Sequence, residues 1–143
     1  MKKLLIALFL VITAFHVSAQ KSNKVKLQAM YDAIKEAGIR HPEFVMAQCI
    51  QETGWLNCKN CCLRYNNIFG FYKKGNKCMQ FDSQDDCIKY YKKWQDKRYD
   101  KWRKKYPKGT YYDFLKYSLY ATGDKYNNEL RPKVAWVKAN LKL

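Results

Sequence analysis

The sequence predicts a mainly helical α+β fold that contains one small β-hairpin. Apolar residues recur at helical spacing in five segments, and a single aromatic and polar stretch, 69–81, surrounds the turn sequence Lys74-Gly75-Asn76. The length of 143 residues suits one domain. A hydrophobic content of 48% is enough to build a core, so the chain is not a disordered basic tail.

The first nineteen residues have the pattern of an export signal. Lys2 and Lys3 precede a run of twelve mostly apolar residues, and a small-residue cleavage site ends at Ala19. The run is shorter than the roughly 20 residues that span a bilayer. We expect cleavage before Gln20, which leaves 20–143 as one exported domain, periplasmic or secreted, without a transmembrane segment.

Two helices are predicted at the start of this domain. The first can end at Gly38, and the second has Pro42 in its first turn and can end at Gly54. The apolar positions that define them are Leu27, Met30, Tyr31 and Ile34 in the first helix, and Val45, Met46, Cys49 and Ile50 in the second.

Three more helices are predicted after the hairpin. Ser83 with Asp86 and Thr110 with Asp113 have the spacing of helix-capping pairs, and Asp124 can cap the last helix. The apolar residues expected to face the core from the last two helices are Phe114, Leu115, Leu119, Leu130, Val134, Val137 and Leu141.

The cysteine count indicates disulfides. The six are Cys49, Cys58, Cys61, Cys62, Cys78 and Cys87. In an exported chain an even count predicts three bridges, although the sequence does not choose among the 15 pairings. Zinc is the alternative, because Cys58 and Cys61 have zinc-like spacing. We disfavour it, since no second such pair follows and His41 is the one histidine of the exported domain.

Glu52 is the candidate catalytic residue. It lies in the last turn of the second predicted helix and projects within about 20° of Val45, at the edge of the apolar stripe. Contact with the core and the negative end of the helix dipole both favour its protonated form. A raised pKa is what a general acid needs near neutral pH.

Three segments of the chain form a wider pattern. They are FVMAQCIQETGW at 44–55, NNIFG at 66–70 and YATGDKYNNEL at 120–130. In this order and at these distances they resemble the glucosaminidase domain of bacterial peptidoglycan hydrolases, glycoside hydrolase family 73, found in flagellar and autolysin-type enzymes. Matching pieces extend over nearly the whole exported domain.

The resemblance implies a lysozyme-like fold, with a substrate cleft between a helical lobe and the small β-hairpin lobe. It implies that Glu52 is the catalytic acid and that Tyr120 is a second catalytic or substrate-orienting residue. The residues that it implies for substrate binding are Trp55, Asn67, Phe69 and Tyr126. We expect no cofactor and no metal.

The sequence departs from this family in one respect, the second catalytic carboxylic acid. Several members carry one on the hairpin, but 71–81 contains no Asp or Glu, and we expect Asp82 only to end the hairpin. Three alternatives stay open. The substrate N-acetyl group can act as nucleophile beside Glu52, which we favour. Glu52 can instead act alone with a sugar hydroxyl, as in lytic transglycosylases, or hydrolysis can be lost.

A formal net charge of +16 supports an alternative from another class, a cationic cell-wall-binding or antimicrobial protein. Basic and aromatic residues alternate along one stretch: Lys73, Lys74, Lys77, Lys89, Tyr90, Tyr91, Lys92, Lys93, Trp94, Lys97, Arg98, Tyr99, Lys101, Trp102, Arg103, Lys104 and Lys105. We expect peptidoglycan and anionic envelope polymers as partners, no nucleic acid as primary partner, and a monomer.

Overall fold

Five α-helices and one two-stranded antiparallel sheet make up the described part of the chain. The computed structural model describes residues 23–121 and 123–142, so the expected signal segment 1–19 lies outside it. The elements are α1 (23–36), α2 (Pro42–Thr53), a 3₁₀ turn (Cys62–Tyr65), β1 (Tyr72–Lys73), β2 (Lys77–Cys78), α3 (Gln84–Lys105), α4 (Tyr111–Tyr117) and α5 (Asp124–Asn140). The prediction of a mainly helical fold with one small hairpin is confirmed.

Helix α2 is the central element of the core. All side chains from Val45 to Ile50 are buried, and the helix packs along α5. Pro42 stands in its first turn and Gly54 ends it, as predicted. The middle of α2 therefore has no exposed face. This buried setting fixes the direction in which the last turn of the helix projects.

The hairpin is short, with two residues in each strand. Tyr72 pairs with Cys78 and Lys73 with Lys77. Its turn uses left-handed backbone at Gly75 and Asn76, which the turn sequence permits. Few residues form this sheet, so contacts outside the sheet have to hold it in place.

Local capping sets the bounds of α3 and α4. The Ser83 hydroxyl accepts a hydrogen bond from the Asp86 amide at 3.1 Å. Thr110 and Asp113 form a reciprocal capping box. Both starts agree with the sequence prediction. Helix α5 begins one residue earlier than expected, because Gly123 is its cap and Asp124 is its first residue.

Leu119 corrects one prediction about the core. It was expected to face inward with Phe114 and Leu115, which are fully buried, but it is 76% exposed. Its backbone is left-handed, with φ of 57°. The helical spacing that predicted its direction ends at Tyr117, so the side chain leaves the helix face.

Two disulfides join the loop after α2 to itself and to the hairpin. Cys58 bonds Cys61, and Cys62 bonds Cys78. With Cys58, Cys61 and Cys62 bridged, none of these three is a thiolate available to zinc. In the described residues no helix has the length and apolar character needed to cross a membrane.

The expected third bridge is wrong, because Cys49 and Cys87 are free thiols. Both are fully buried and pack in the core as small apolar side chains. Burial raises the pKa of the Cys87 thiol to about 11 and raises that of Cys49 further. Both groups therefore stay protonated at neutral pH.

The two bridges should differ in their effect on stability. Their sequence separations are 16 residues for Cys62–Cys78 and 3 for Cys58–Cys61. Loop-closure entropy predicts that replacing the first pair by alanine lowers the free energy of unfolding by about 3 kcal/mol, and replacing the second pair by about 2 kcal/mol. Urea unfolding of the two double variants measures both values.

Thiol titration of the unfolded wild-type domain is the control for this comparison. It should count two thiols, those of Cys49 and Cys87. Six thiols in protein from an oxidising compartment, or a larger loss of stability from the Cys58–Cys61 pair, would contradict the assignment.

Candidate active site

Glu52 is held at the end of α2 by the residues that follow it. The Thr53 hydroxyl donates to the Cys49 carbonyl at 2.6 Å and accepts from the Leu56 amide at 2.9 Å. Gly54 then turns the chain away from the helix axis. The Glu-Thr-Gly sequence is thus a helix-ending unit, which leaves the Glu52 side chain at the boundary between core and surface.

The backbone of Gly70 lies against the Glu52 carboxyl group. Its backbone has φ of 64°, and a Cβ atom added there would lie 2.7 Å from Cδ and 3.2 Å from Cγ of Glu52. Any side chain there would push the Glu52 carboxyl group aside. Glycine therefore allows both this left-handed backbone conformation and this contact.

Asn67 joins the segment before Gly70 to the hairpin. Its Nδ2 donates to the carbonyls of Phe71 at 2.7 Å and Met79 at 3.0 Å, while its Oδ1 accepts from the Phe71 amide at 3.0 Å. The side chain is fully buried. Asn67 therefore positions the loop and does not line the pocket, in contrast to what the resemblance implied.

Phe69 and Trp55 also lie outside the pocket. Phe69 is fully buried, and its ring packs on Tyr91 with ring centres 4.6 Å apart. Trp55 packs edge-on against Trp136 of α5, at 4.7 Å between ring centres. Phe69 thus packs in the core and Trp55 packs on α5, whereas the resemblance implied that they bind substrate.

Tyr120 connects the late motif to the Gly70 loop. Its hydroxyl donates a hydrogen bond to the Phe69 carbonyl, the residue before Gly70. Burial, with nearby Tyr126 and Glu52, raises the pKa of this hydroxyl well above its ordinary value. Tyr120 is therefore a neutral donor that fixes the loop, and its ring lines the pocket.

Tyr126 brings a second hydroxyl close to Glu52. The oxygen is buried next to the carboxyl group but reaches no hydrogen-bond partner of ordinary geometry, and the same is true of Nε2 of Gln48. One of these two unpartnered polar atoms, the Tyr126 hydroxyl, thus lies beside the candidate acid.

A pocket of about 350 Å³ opens over Glu52. This volume falls within the usual range of small-molecule sites. Glu52 is the one carboxylate among its described lining residues, which are Glu52, Gly70, Phe71, Tyr72, Trp94, Ser118, Leu119 and Tyr120. Asp82 is not among them. The sequence did not identify Ser118 and Leu119 as site residues, and it named Trp94 only in the basic and aromatic stretch. The Gly70 contact could have been inferred from the NNIFG segment.

Residues 27–135 match the family model Glucosaminidase, described as mannosyl-glycoprotein endo-beta-N-acetylglucosaminidase. The chain belongs to the glucosaminidase family. The resemblance seen in the three sequence segments is thereby confirmed, and the protein is a glycoside hydrolase by family. No curated protein and no solved structure gives a significant match.

Burial controls the protonation of Glu52 in this glucosaminidase. It raises the pKa of the carboxyl group above its ordinary value. The nearby Tyr126 hydroxyl lowers this pKa, but its geometry is not that of an ordinary hydrogen bond. Burial is therefore the larger effect. The site therefore favours a carboxylic acid that can donate its proton.

A buried chain of hydrogen bonds supports the far side of the site. Tyr91 donates to Gln48 at 2.7 Å, and Tyr111 lies 2.9 Å from Tyr91. Gln95 donates to Tyr111 at 2.8 Å and to the Arg40 carbonyl at 2.8 Å. Because Tyr91 donates onward, Tyr111 must donate to Tyr91. This chain holds Gln48, one turn before Glu52, in a single orientation.

The aromatic residues of α3 do not form an exposed platform in this glucosaminidase. Tyr91, Tyr99 and Trp102 are buried in the core, and Trp94 is half-buried. Tyr90 alone among the five is exposed. The basic face of α3 therefore offers charge to a polymer, without the alternating aromatic contacts that its sequence suggested.

Replacing Gly70 by alanine should abolish most of the activity. The new Cβ would displace the Glu52 carboxyl group, and a displacement of about 1 Å can reduce turnover about 100-fold. Turnover on a soluble N-acetylglucosamine oligomer measures the loss.

Gly75→Ala is the matched control for this substitution. Gly75 also has a positive φ, of 82°, but an added Cβ there meets nothing within 4 Å. It therefore reproduces the backbone strain without the contact. Equal activity of the two variants would contradict the role assigned to Gly70.

Proposed function

We propose that this glucosaminidase is an exported peptidoglycan hydrolase that cleaves the glycan strand at N-acetylglucosaminyl bonds, with Glu52 as general acid. One observation carries the proposal: a half-buried carboxyl group with a raised pKa lies in a pocket that contains no other carboxylate among its described residues. Family membership supports the reaction type.

The absence of a second carboxylate from the described lining favours a substrate-assisted reaction. Glu52 gives its proton to the glycosidic oxygen as the bond from C1 to that oxygen breaks. The carbonyl oxygen of the substrate N-acetyl group bonds to C1 from the opposite face. Glu52, now ionised, takes a proton from water, and the water oxygen opens the cyclic intermediate, so the configuration at C1 is retained.

Tyr120 and Tyr126 have supporting roles in this proposal. Tyr120 holds the Phe69 carbonyl and so keeps the loop that carries Gly70 against Glu52. Tyr126 lies beside the carboxyl group with an unpartnered hydroxyl. That hydroxyl is available to donate to ionised Glu52 during the reaction.

Export is part of the proposal. The two disulfides suit an oxidising compartment, and the first nineteen residues have the pattern of a cleaved signal. Peptidoglycan lies outside the cytoplasmic membrane, so the expected location agrees with the substrate.

Digestion of purified peptidoglycan by the mature domain tests this function. After borohydride reduction, mass spectrometry should find reduced N-acetylglucosamine ends that Glu52→Gln does not produce, because an amide cannot donate the proton. Glu43→Gln is the matched control, since Glu43 lies in the first turn of the same helix and should leave the product ends unchanged.

The products distinguish the alternatives. Anhydro sugars in place of reducing ends would contradict substrate-assisted hydrolysis and favour lytic cleavage. No new ends from a folded domain that binds the wall would contradict catalysis and favour a cationic binding protein. Equal activity of the Glu52→Gln variant would remove Glu52 from the mechanism.

A further inference from the structure

A second pocket, larger than the one at Glu52, lies where α3 meets α4. Its volume is about 630 Å³, against about 350 Å³ at Glu52. The residues that matter here are Trp102, Lys105, Tyr106, Lys108, Lys116 and Tyr117. The two pockets share no lining residue, so this pocket is a separate feature of the molecule.

The loop that forms one wall of this pocket is held firmly. The Arg103 guanidinium donates to the carbonyls of Pro107 at 3.0 Å and Gly109 at 2.7 Å. Gly109 lies so close to the Trp102 ring that an added Cβ would be 2.7 Å from Cζ2. The pocket is therefore preformed and does not need a ligand to order it.

Two exposed tyrosines give the pocket an aromatic surface. Tyr106 is 41% exposed and Tyr117 is 45% exposed, and their rings meet edge to face at 5.7 Å between centres. Each ring presents an apolar face and a hydroxyl that can hydrogen-bond. The apolar faces of pyranose rings pack against surfaces of this kind, while sugar hydroxyls bond to the phenol oxygens.

The charge around these rings is positive. Lys116 pairs with Asp124 at 2.7 Å, and the Asp113 carboxylate accepts hydrogen bonds from Thr110. The Lys105 ammonium lies over the Tyr106 ring, 5.3 Å from its centre. No carboxylate of the described residues forms an ion pair with Lys105 or Lys108, so both ammonium groups can pair with an acidic ligand.

We propose that this pocket is a non-catalytic binding site for a glycan that carries acidic peptides, and that its ligand is the peptidoglycan strand. Sugar rings lie on Tyr106 and Tyr117, and carboxylates of the stem peptides pair with Lys105 and Lys108. The identity of the glycan rests on the proposed function. Such a site keeps the enzyme on an insoluble polymer while the separate Glu52 pocket acts.

Binding to purified, insoluble peptidoglycan, freed of phosphate-containing wall polymers, tests this site. All proteins carry Glu52→Gln, so that the polymer is not digested. At about 0.15 M salt, where long-range charge effects are screened, Lys105→Gln with Lys108→Gln should bind about fivefold more weakly, equivalent to about 1 kcal/mol. Tyr117→Ala should weaken binding in the same direction.

Lys24→Gln with Lys35→Gln is the matched control. It removes the same charge from exposed positions of α1 that line neither pocket. Unchanged binding by this control, with weaker binding by the pocket variants, supports the site. Equal weakening by both pairs, or no weakening by folded pocket variants, overturns it. Pocket-dependent binding only to walls that retain phosphate polymers overturns peptidoglycan as the ligand.

The assay separates this proposal from the proposed function, because it needs no catalysis. If the wild-type enzyme is active but the pocket substitutions leave binding unchanged, only the proposed binding site is contradicted. If the wild type releases no sugar ends but the pocket substitutions weaken its binding, only the proposed catalytic function is contradicted.

Discussion

The contact between the Glu52 side chain and the backbone of Gly70 is the constraint on which the rest of the site depends. A carboxyl group at the end of α2 would be solvated if nothing covered it. The Gly70 backbone approaches it so closely that a Cβ there would displace the carboxyl group. This approach removes water from one side of the carboxyl group, and burial in turn raises its pKa.

The elements around this contact act to keep the Gly70 loop in place. Tyr120 holds the Phe69 carbonyl from one side, and Asn67 ties the loop to the hairpin from the other. The Cys62–Cys78 bridge fixes the same hairpin to the turn that precedes the loop. The hairpin therefore serves as a scaffold for the pocket wall, which agrees with its lack of acidic residues.

The sequence predicted the helices well because local signals set their ends, as the Thr110 and Asp113 pair shows. It identified Glu52 because helical periodicity gives the direction of a side chain. It did not give the roles of Asn67 and Phe69, since a motif marks residues that matter without showing which way they face. The free state of Cys49 likewise depends on tertiary packing, which spacing along the chain does not record.

The thermal stability of the wild-type domain and of Glu52→Gln, compared across pH, tests the central claim that burial favours the protonated form of Glu52. A raised pKa in the folded state makes ionisation destabilising. Below about pH 4.3 the difference in stability between the two proteins should therefore be constant, and the wild type should lose stability relative to the variant as the pH rises from there through the raised pKa. A wild type that gains stability relative to the variant over this range would contradict the claim.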